Sequence, residues 1–436
     1  MLVITGQVPR SKVGTDAKQY IDQEQLISPL AVYSASLLHP DAVLTVVNKA
    51  VIEAVGKRGV AHVSVPTDVL ALPCSLTAHA PAGLLQQTQP SNLSQLDACV
   101  KALNAARKPL LYIGRGARRA ASAIRQLADT LQAGILETLG AKGTIPADDE
   151  WHIGGIGEGG TQEAAELLKQ ADCLLIIGAN WYPKKYIPRE VRVIKIDIDP
   201  GSIEAQPDLA HGLVGDAAHI AEQLASKLTR QDRGEWAAKV RAAKETIARR
   251  LDRERKSPGR AISPQALMAA LDRRVAADGI IAVDTGDHTI WFNRIFRAKG
   301  QFVTFSGNWR TTGFALPAAI SAKLHHPGKQ VTAISGDGSF AMTAMELSTM
   351  VRYNTPIKII IANNHALAAE KNKMAAAGLK PYGVDLTNPD FSALARAYGI
   401  KGLKVQNADE LPDALQAMYA DDQAMLLDVH ITDASP

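Results

Sequence analysis

At 436 residues the chain is too long for a single hydrophobic core, and a rule of roughly 150 residues per domain puts two or three domains in it. Hydrophobic residues make up 46% of it with no run of 18 apolar residues and no signal peptide, so the composition excludes disordered and membrane-inserted classes and predicts a soluble, cytoplasmic protein. The net charge of +4 is concentrated in residues 230–256, where ten Lys or Arg face five Asp or Glu; without a nucleic-acid motif or a pattern of interleaved aromatics, this reads as a solvated linker helix rather than a nucleic-acid surface.

In chain order, Leu2-Val3-Ile4-Thr5-Gly6 reads as a buried strand, followed by a strand-like Ser34 to Leu38, a helix from about Asp41 to Val55 and a strand from Val60 to Pro66. These elements are too few to cover both faces of their sheet, and an unpaired edge is expected. After a loop rich in Pro, Ala, Thr and Gln, a helix is expected over Leu93 to Ala106, a strand over Pro109 to Ile113, a helix over Arg118 to Gln132, and strands over Cys173 to Gly178 and Val193 to Asp197. Such alternation predicts a parallel, doubly wound sheet. Cys74, Cys99 and Cys173 are widely separated, follow no metal-ligand spacing and read as reduced, structural residues.

Three features of this middle region suit an anionic cofactor. Gly114-Arg115-Gly116 follows a strand, so the amides of Gly114 and Gly116 could meet a phosphate. The run from Gly155 to Gly160, with Gly157 inside it, precedes another helix. Asp197 and Asp199 end a strand, where a carboxylate could accept ribose hydroxyls. Glycine turns and strand-end aspartates are also common in any such sheet, and a purely structural domain is the alternative.

A third region opens at Ser263-Pro264, a plausible N-cap and first helical residue. A strand from Gly279 to Val283 ends in Asp284-Thr285-Gly286-Asp287-His288. Another, around Val331 to Ile334, ends on Gly336-Asp337-Gly338-Ser339 and is followed by a helical pattern with Met342, Met345, Leu347 and Met350 expected on one face. The strand Ile357 to Ala362 then delivers Asn363 and Asn364 at its C-terminal end, where ligands of open α/β sheets bind, and Met425 to Ile431 reads as the last strand. A carboxylate, an amide oxygen and main-chain carbonyls form a hard oxygen set suited to Mg²⁺ bridged to a diphosphate.

The span from Gly336-Asp337-Gly338 to Asn363-Asn364, with residues 339–362 between, resembles the diphosphate-binding motif of the thiamine diphosphate (ThDP) enzymes. The resemblance implies Mg²⁺ on Asp337, Asn364 and the carbonyl of Ala366, with Gly336, Gly338, Ser339, Gly286 and His288 around the diphosphate. It also places Thr312 where the family usually supports the bent coenzyme with a large apolar residue, and offers Glu370 as an acid or base near the reacting carbon. The bland reading of Glu370 is a solvent-facing residue in a first helical turn.

The middle region is similar to the central domain of the pyruvate oxidase and acetolactate synthase branch, some of whose members hold FAD. The run Ala179 to Tyr186 resembles the aromatic-proline turn of the oxidases. The first 75 residues resemble the end of a pyrimidine-binding domain whose earlier part carries the family's activating glutamate; Gln7, Glu24 and Glu53 lie on the wrong elements to replace it. The expected architecture is therefore α/β, with doubly wound parallel sheets in three consecutive modules: residues 1–75, a central domain over 92–228, a linker helix over 229–260, and a diphosphate/Mg²⁺ domain over 261–436. Three functions follow from the resemblance: a pyruvate-oxidase-type enzyme decarboxylating a 2-oxo acid, an acetolactate-synthase-type carboligase, or a non-catalytic ThDP-binding remnant. The implied partners are a 2-oxo acid substrate and either further copies in a homodimer or homotetramer, or a chain supplying the N-terminal half.

Overall fold

The structure, a computed structural model, describes residues 1–77, 91, 93–179, 186–188, 190–204, 209–256 and 259–434. They fall into two compact units, Met1–Gln89 and Pro90–Pro436.

In the first unit β1 (Leu2–Gln7), β2 (Tyr33–Ser36) and β3 (Ala61–Pro66) form a parallel sheet in the order β1-β3-β2. The central strand is buried along its whole length, because side chains of both parities are covered. On one face Ala61, Val63 and Val65 pack with Ala50 and Ala54 of the helix Val43–Gly56. The other face is polar and internally satisfied: the His62 ring is bonded by Thr5 and Ser34, each at 2.8 Å, while Gln23 Oε1 accepts from the hydroxyls of Thr5 and Ser64. Burial lowers the His62 pKa below its ordinary value. β1 and β2 each pair on one side only among the described residues.

The second unit holds two six-stranded, all-parallel sheets. The first comprises β4 (Pro109–Ile113), β5 (Gly134–Glu137), β6 (His152–Gly155), β7 (Cys173–Ile177), β8 (Arg192–Asp197) and β9 (Leu209–Val214), in the order β6-β5-β4-β7-β8-β9. The second comprises β10 (Ile280–Val283), β11 (Phe302–Phe305), β12 (Val331–Gly336), β13 (Lys358–Asn363), β14 (Lys401–Val405) and β15 (Met425–His430), in the order β11-β10-β12-β13-β15-β14. The doubly wound parallel architecture expected from the sequence is therefore present. One core runs continuously from the first of these sheets into one face of the second, whose other face packs separately under helix Ala315–His325.

Five of these strands escaped the sequence reading. β6 and β9 contain glycines, β5 and β11 span four residues, and the edge strand β14 has polar residues at positions that a buried strand would make apolar.

The basic segment differs from the solvated helix expected. Helix Gly234–Glu254 buries Trp236, Ala237, Val240, Ile247 and Leu251 on one stripe, and the Trp236 indole donates to the carbonyl of Pro109 at 2.9 Å. Its charges pair with both sheet regions: Arg241 with Glu150, Arg250 with Glu163, Glu254 with Arg294 and Asp252 with Arg297, all within 2.6–2.7 Å. The local charge excess thus belongs to a strap bound along one face. Among the described residues no helix is long and apolar enough to cross a membrane.

Candidate functional site

In the second sheet of this unit the chain runs from β10 outward to β11 and then returns to β12 on β10's other side. The strand order reverses between β10 and β12, and in open parallel sheets the crevice beyond the strand ends at such a point is where ligands bind. Beyond β10 lie Asp284 to His288, beyond β12 lie Asp337 to Ser339, and beyond β13, paired to β12 through Gly336 and Ala362, lie Asn363 and Asn364. Asp337, Asn364 and Ala366 line one cavity of about 110 Å³, together with Gly286, His288 and Gly338. That is smaller than the ~300–1,000 Å³ of a pocket enclosing a whole small ligand, and suits a cradle for one end of it. A larger groove of about 510 Å³, beside Ile320 and Leu324, lies on helix Ala315–His325 and shares no lining residue with this cavity.

The helix after β12 starts at Asp337 itself, with Gly336 as N-cap in ordinary extended conformation. Gly338 needs no special backbone freedom; a methyl there would sit 2.6 Å from Leu367 Cδ2, so the tip of that leucine would have to shift. The helix is short, Asp337–Thr343, and a 3-10 turn at Ala344–Glu346 breaks the periodicity before Leu347–Arg352. The single apolar face expected for Met342, Met345, Leu347 and Met350 is therefore not formed: the first two are exposed and the last two buried.

Asp337 is buried, which pushes its carboxyl upward; a hydrogen bond from Asn388 and the amide of Gly338 pull the other way. No Lys or Arg stands among the groups that shift it. A buried carboxylate supported only by neutral donors and a distant imidazole fits a cation. Asn364 Oδ1 accepts from the Ala366 amide at 3.3 Å in an Asx-type turn, and His365 between them is left-handed, at φ +56°. Non-glycine residues in that region are uncommon and cluster at functional sites. Asp337, Asn364 and Ala366 line the same cavity, and a carboxylate, an amide oxygen and a main-chain carbonyl are ligand types that suit a hard cation such as Mg²⁺.

His288 is buried on the cavity wall, and its ring packs on the backbones of Gly286 and Gly336, where a Cβ would lie about 2.7–3.0 Å from it. Burial holds its pKa near 4, against an opposing pull from Asp284, so the imidazole is neutral at ordinary pH. Among the described residues its Nε2 has no hydrogen-bond partner. Ser339 is expected to offer a donor to the diphosphate; its hydroxyl donates to the carbonyl of Thr285 at 2.9 Å, which leaves the backbone amide for that task. Thr312 lines the cavity and donates to Met342 Sδ at 3.0 Å. Glu370 also reaches the rim, but its side chain is 59% exposed and pairs with Lys373 at 2.8 Å, the ordinary surface arrangement.

The sequence passed over three residues here. Asn388 donates to Asp337 Oδ2 at 2.6 Å and to Asn363 Oδ1 at 3.0 Å. Asp287 lines the cavity, receives Asn372 Nδ2 at 2.6 Å and is shifted upward by burial. Asp284 accepts the amides of Phe314 and Ala315. The signal that could have found Asn388 is Asn-Pro-Asp immediately before a helix, a turn whose polar side chains face back toward the strand ends.

In the middle region, groups expected to meet an anionic cofactor are bonded within the protein at Gly114, Gly116 and Asp197. The Gly114 and Gly116 amides are spent on the carbonyls of Ile177 and Gly178, both at 2.9 Å, and a Cβ at either glycine would strike Gly178; these glycines let two chain segments cross. Gly157, at φ +81°, closes a turn in which the Gly160 amide donates to its carbonyl, and the loop packs on helix Asp287–Ile295 through Asn293 and Glu158. The Asp197 carboxylate is buried and occupied, accepting from Ser202 Oγ and the Asp199 amide and facing Lys195 Nζ at 3.5 Å. Gly114, Gly116 and Asp197 thus do not fit FAD in the roles expected. Positions 180–185 of the aromatic-proline turn lie outside the described residues.

Comparison with known proteins places this geometry. Residues 284–429 match the C-terminal TPP binding domain of thiamine pyrophosphate enzymes, and residues 96–224 match their central domain. A Bacillus subtilis protein provisionally named thiamine pyrophosphate-containing protein YdaP is 30% identical over 439 residues, covering 100% of this chain and 76% of its own length. The acetolactate synthase large subunit of Parasynechococcus marenigrum is 30% identical over 456 residues (99% and 72%), and that of Haemophilus influenzae 29% identical over 458 residues (100% and 79%).

Proposed function

The chain belongs to the thiamine pyrophosphate enzyme family, and on that premise we propose that it uses Mg²⁺-bound ThDP to decarboxylate a 2-oxo acid and join the product to a second 2-oxo acid, as an acetolactate-synthase-type carboligase. The observation that carries the reading is the convergence of Asp337, Asn364 and Ala366 on one cavity at the switch point of the second sheet. The similarity to acetolactate synthase large subunits favours carboligation over the oxidase chemistry that the sequence first suggested. The oxidase reading leaned on the run Ala179 to Tyr186, and no step of the proposal uses a flavin.

When bound, the coenzyme supplies the electron sink that decarboxylation needs. The protein's part is binding and electrostatics. Asp337 supplies negative charge for the cation, with Asn364 Oδ1 and the Ala366 carbonyl completing its share of the ligands. The first-turn amide of Ser339 offers a donor to the diphosphate, while the Gly338 amide is turned onto the Asp337 carboxylate. His288, kept neutral by burial, adds no charge beside the cation and has Nε2 free to bond a ligand. Glu370 stays outside the proposal because it is solvated and paired with Lys373. The assembly proposed with this function is a homo-oligomer or a complex with a second chain.

The test supplies the purified chain with pyruvate, ThDP and Mg²⁺ and measures acetolactate, with oxygen and quinone consumption in parallel. Acetolactate without acceptor consumption supports the carboligase. Acceptor consumption with acetate formation would replace it by the oxidase, and tight ThDP binding without either product would establish a non-catalytic binder. Asp337→Ala should abolish Mg²⁺-dependent ThDP binding by calorimetry; unchanged affinity would remove the metal assignment.

A further inference from the structure

Behind Asp337 runs a chain of side-chain hydrogen bonds whose direction is set from one end. Asp428 lies on β15 with no exposure, opposite Ile361 of β13. A carboxylate accepts hydrogen bonds, so the group facing it at 2.8 Å is the Nδ2 of Asn363, which turns Asn363 Oδ1 away. That oxygen receives the amide of His365 at 3.3 Å and Nδ2 of Asn388 at 3.0 Å. An Asn side chain has two N–H hydrogens, and the second from Asn388 goes to Asp337 Oδ2 at 2.6 Å. Each amide has one satisfactory orientation because the previous one is fixed. The last link joins residues 51 positions apart in sequence, from the loop before helix Phe391–Ala397 to the first residue after β12.

We propose that Asn388 is a positioning residue for cation binding: by holding Oδ2 of Asp337, with its own amide oriented by Asn363 and Asp428, it fixes the rotation at which the carboxylate meets the metal. The proposal rests on the reading of Asp337 as a ligand of Mg²⁺. Partners of this kind, one step removed from the metal, fix ligand orientation and typically carry about 10–100-fold in metal affinity. A simple tie for the loop at Asn388 would instead contribute to folding and leave affinity untouched.

The experiment titrates the full chain with Mn²⁺ at saturating ThDP and reads free Mn²⁺ by electron paramagnetic resonance, with urea unfolding of the metal-free protein in parallel. Asn388→Ala is expected to weaken Mn²⁺ binding by about 10–100-fold. Asp428→Leu, close in volume and without any acceptor, releases the orientation of Asn363, whose Nδ2 otherwise donates to Asp428 Oδ1, and is expected to weaken binding in the same direction. It decides the matter should Asn388→Ala not fold. Mn²⁺ affinity within about twofold of the parent in a folded variant, with only the urea midpoint lowered, overturns the proposal in favour of the loop tie. Asp337→Ala separates the two readings. Loss of Mn²⁺ binding in Asp337→Ala beside unchanged binding in Asn388→Ala sinks the positioning role alone, whereas unchanged binding in Asp337→Ala removes the metal assignment beneath it.

Discussion

Asp284 caps a helix that begins 31 residues further along the chain: its Oδ2 accepts the amide of Ala315 at 3.0 Å, and its Oδ1 that of Phe314 at 3.2 Å. The same carboxylate accepts the Ser335 hydroxyl at 3.0 Å, so one side chain ties the end of β10, the end of β12 and the start of helix Ala315–His325. Removing it leaves buried donors unpaired. Asp284→Ala is expected to cost about 2–4 kcal/mol, a helix cap plus at least one orphaned donor, measured by urea unfolding of the metal-free chain. A loss below about 0.5 kcal/mol would show that water satisfies these amides and that the carboxylate is not the tie described.

The strap helix gives a contrast between two positions on one element. Trp236 is buried with its indole bonded to Pro109, whereas Arg249 and Glu245 form an exposed pair at 3.8 Å. Trp236→Ala is expected to lower stability by about 3–5 kcal/mol, and Arg249→Ala by no more than about 0.5 kcal/mol. Similar costs for both in denaturant titrations would mean that the helix is held by its charges and not by its buried stripe.

These two positions also show what was legible beforehand. Strands that end on Asp337 and Asn364 could be read because continuous apolar runs followed by glycine or amide residues are local patterns, and the second sheet pairs those strands through Gly336 and Ala362. What depends on distant partners could not. Trp236 sits in a run rich in Lys and Arg, and only the placement of Pro109 and Glu163 shows which face is covered. Asn388 acquires meaning only when the chain returns to within 2.6 Å of Asp337. Asp197 looked like a ribose acceptor because a strand-end carboxylate has that appearance locally; the buried Lys195 two residues before it on the strand and the Ser202 hydroxyl determine otherwise.

Gly114 offers a direct check of the structural role found for it. A Cβ there would overlap the Gly178 carbonyl and Ala179, which are backbone-anchored and cannot move aside as a flexible side-chain tip can. Gly114→Ala is therefore expected to destabilise the chain by about 1–3 kcal/mol in the absence of any cofactor. If the glycine served only a phosphate, the cofactor-free protein would unfold at the parent's denaturant concentration.

His288 should leave a signature in the pH dependence of stability. In the unfolded chain its imidazole takes up a proton near 6.5, whereas burial in the native state delays protonation to about 4. Between these values the unfolded state binds more protons, so this residue's contribution is fully present above about pH 6.5 and is lost as the pH falls toward 4. Replacing it with asparagine removes that dependence. The difference in unfolding free energy between parent and His288→Asn, followed from pH 7 to pH 4, should shift progressively against the parent on acidification and be flat above pH 7. The ring-proton resonance of His288 should likewise stay at its neutral position down to pH 5.5. A resonance that titrates near 6.5 would place the imidazole in contact with water and remove the neutral donor or acceptor from the cavity wall.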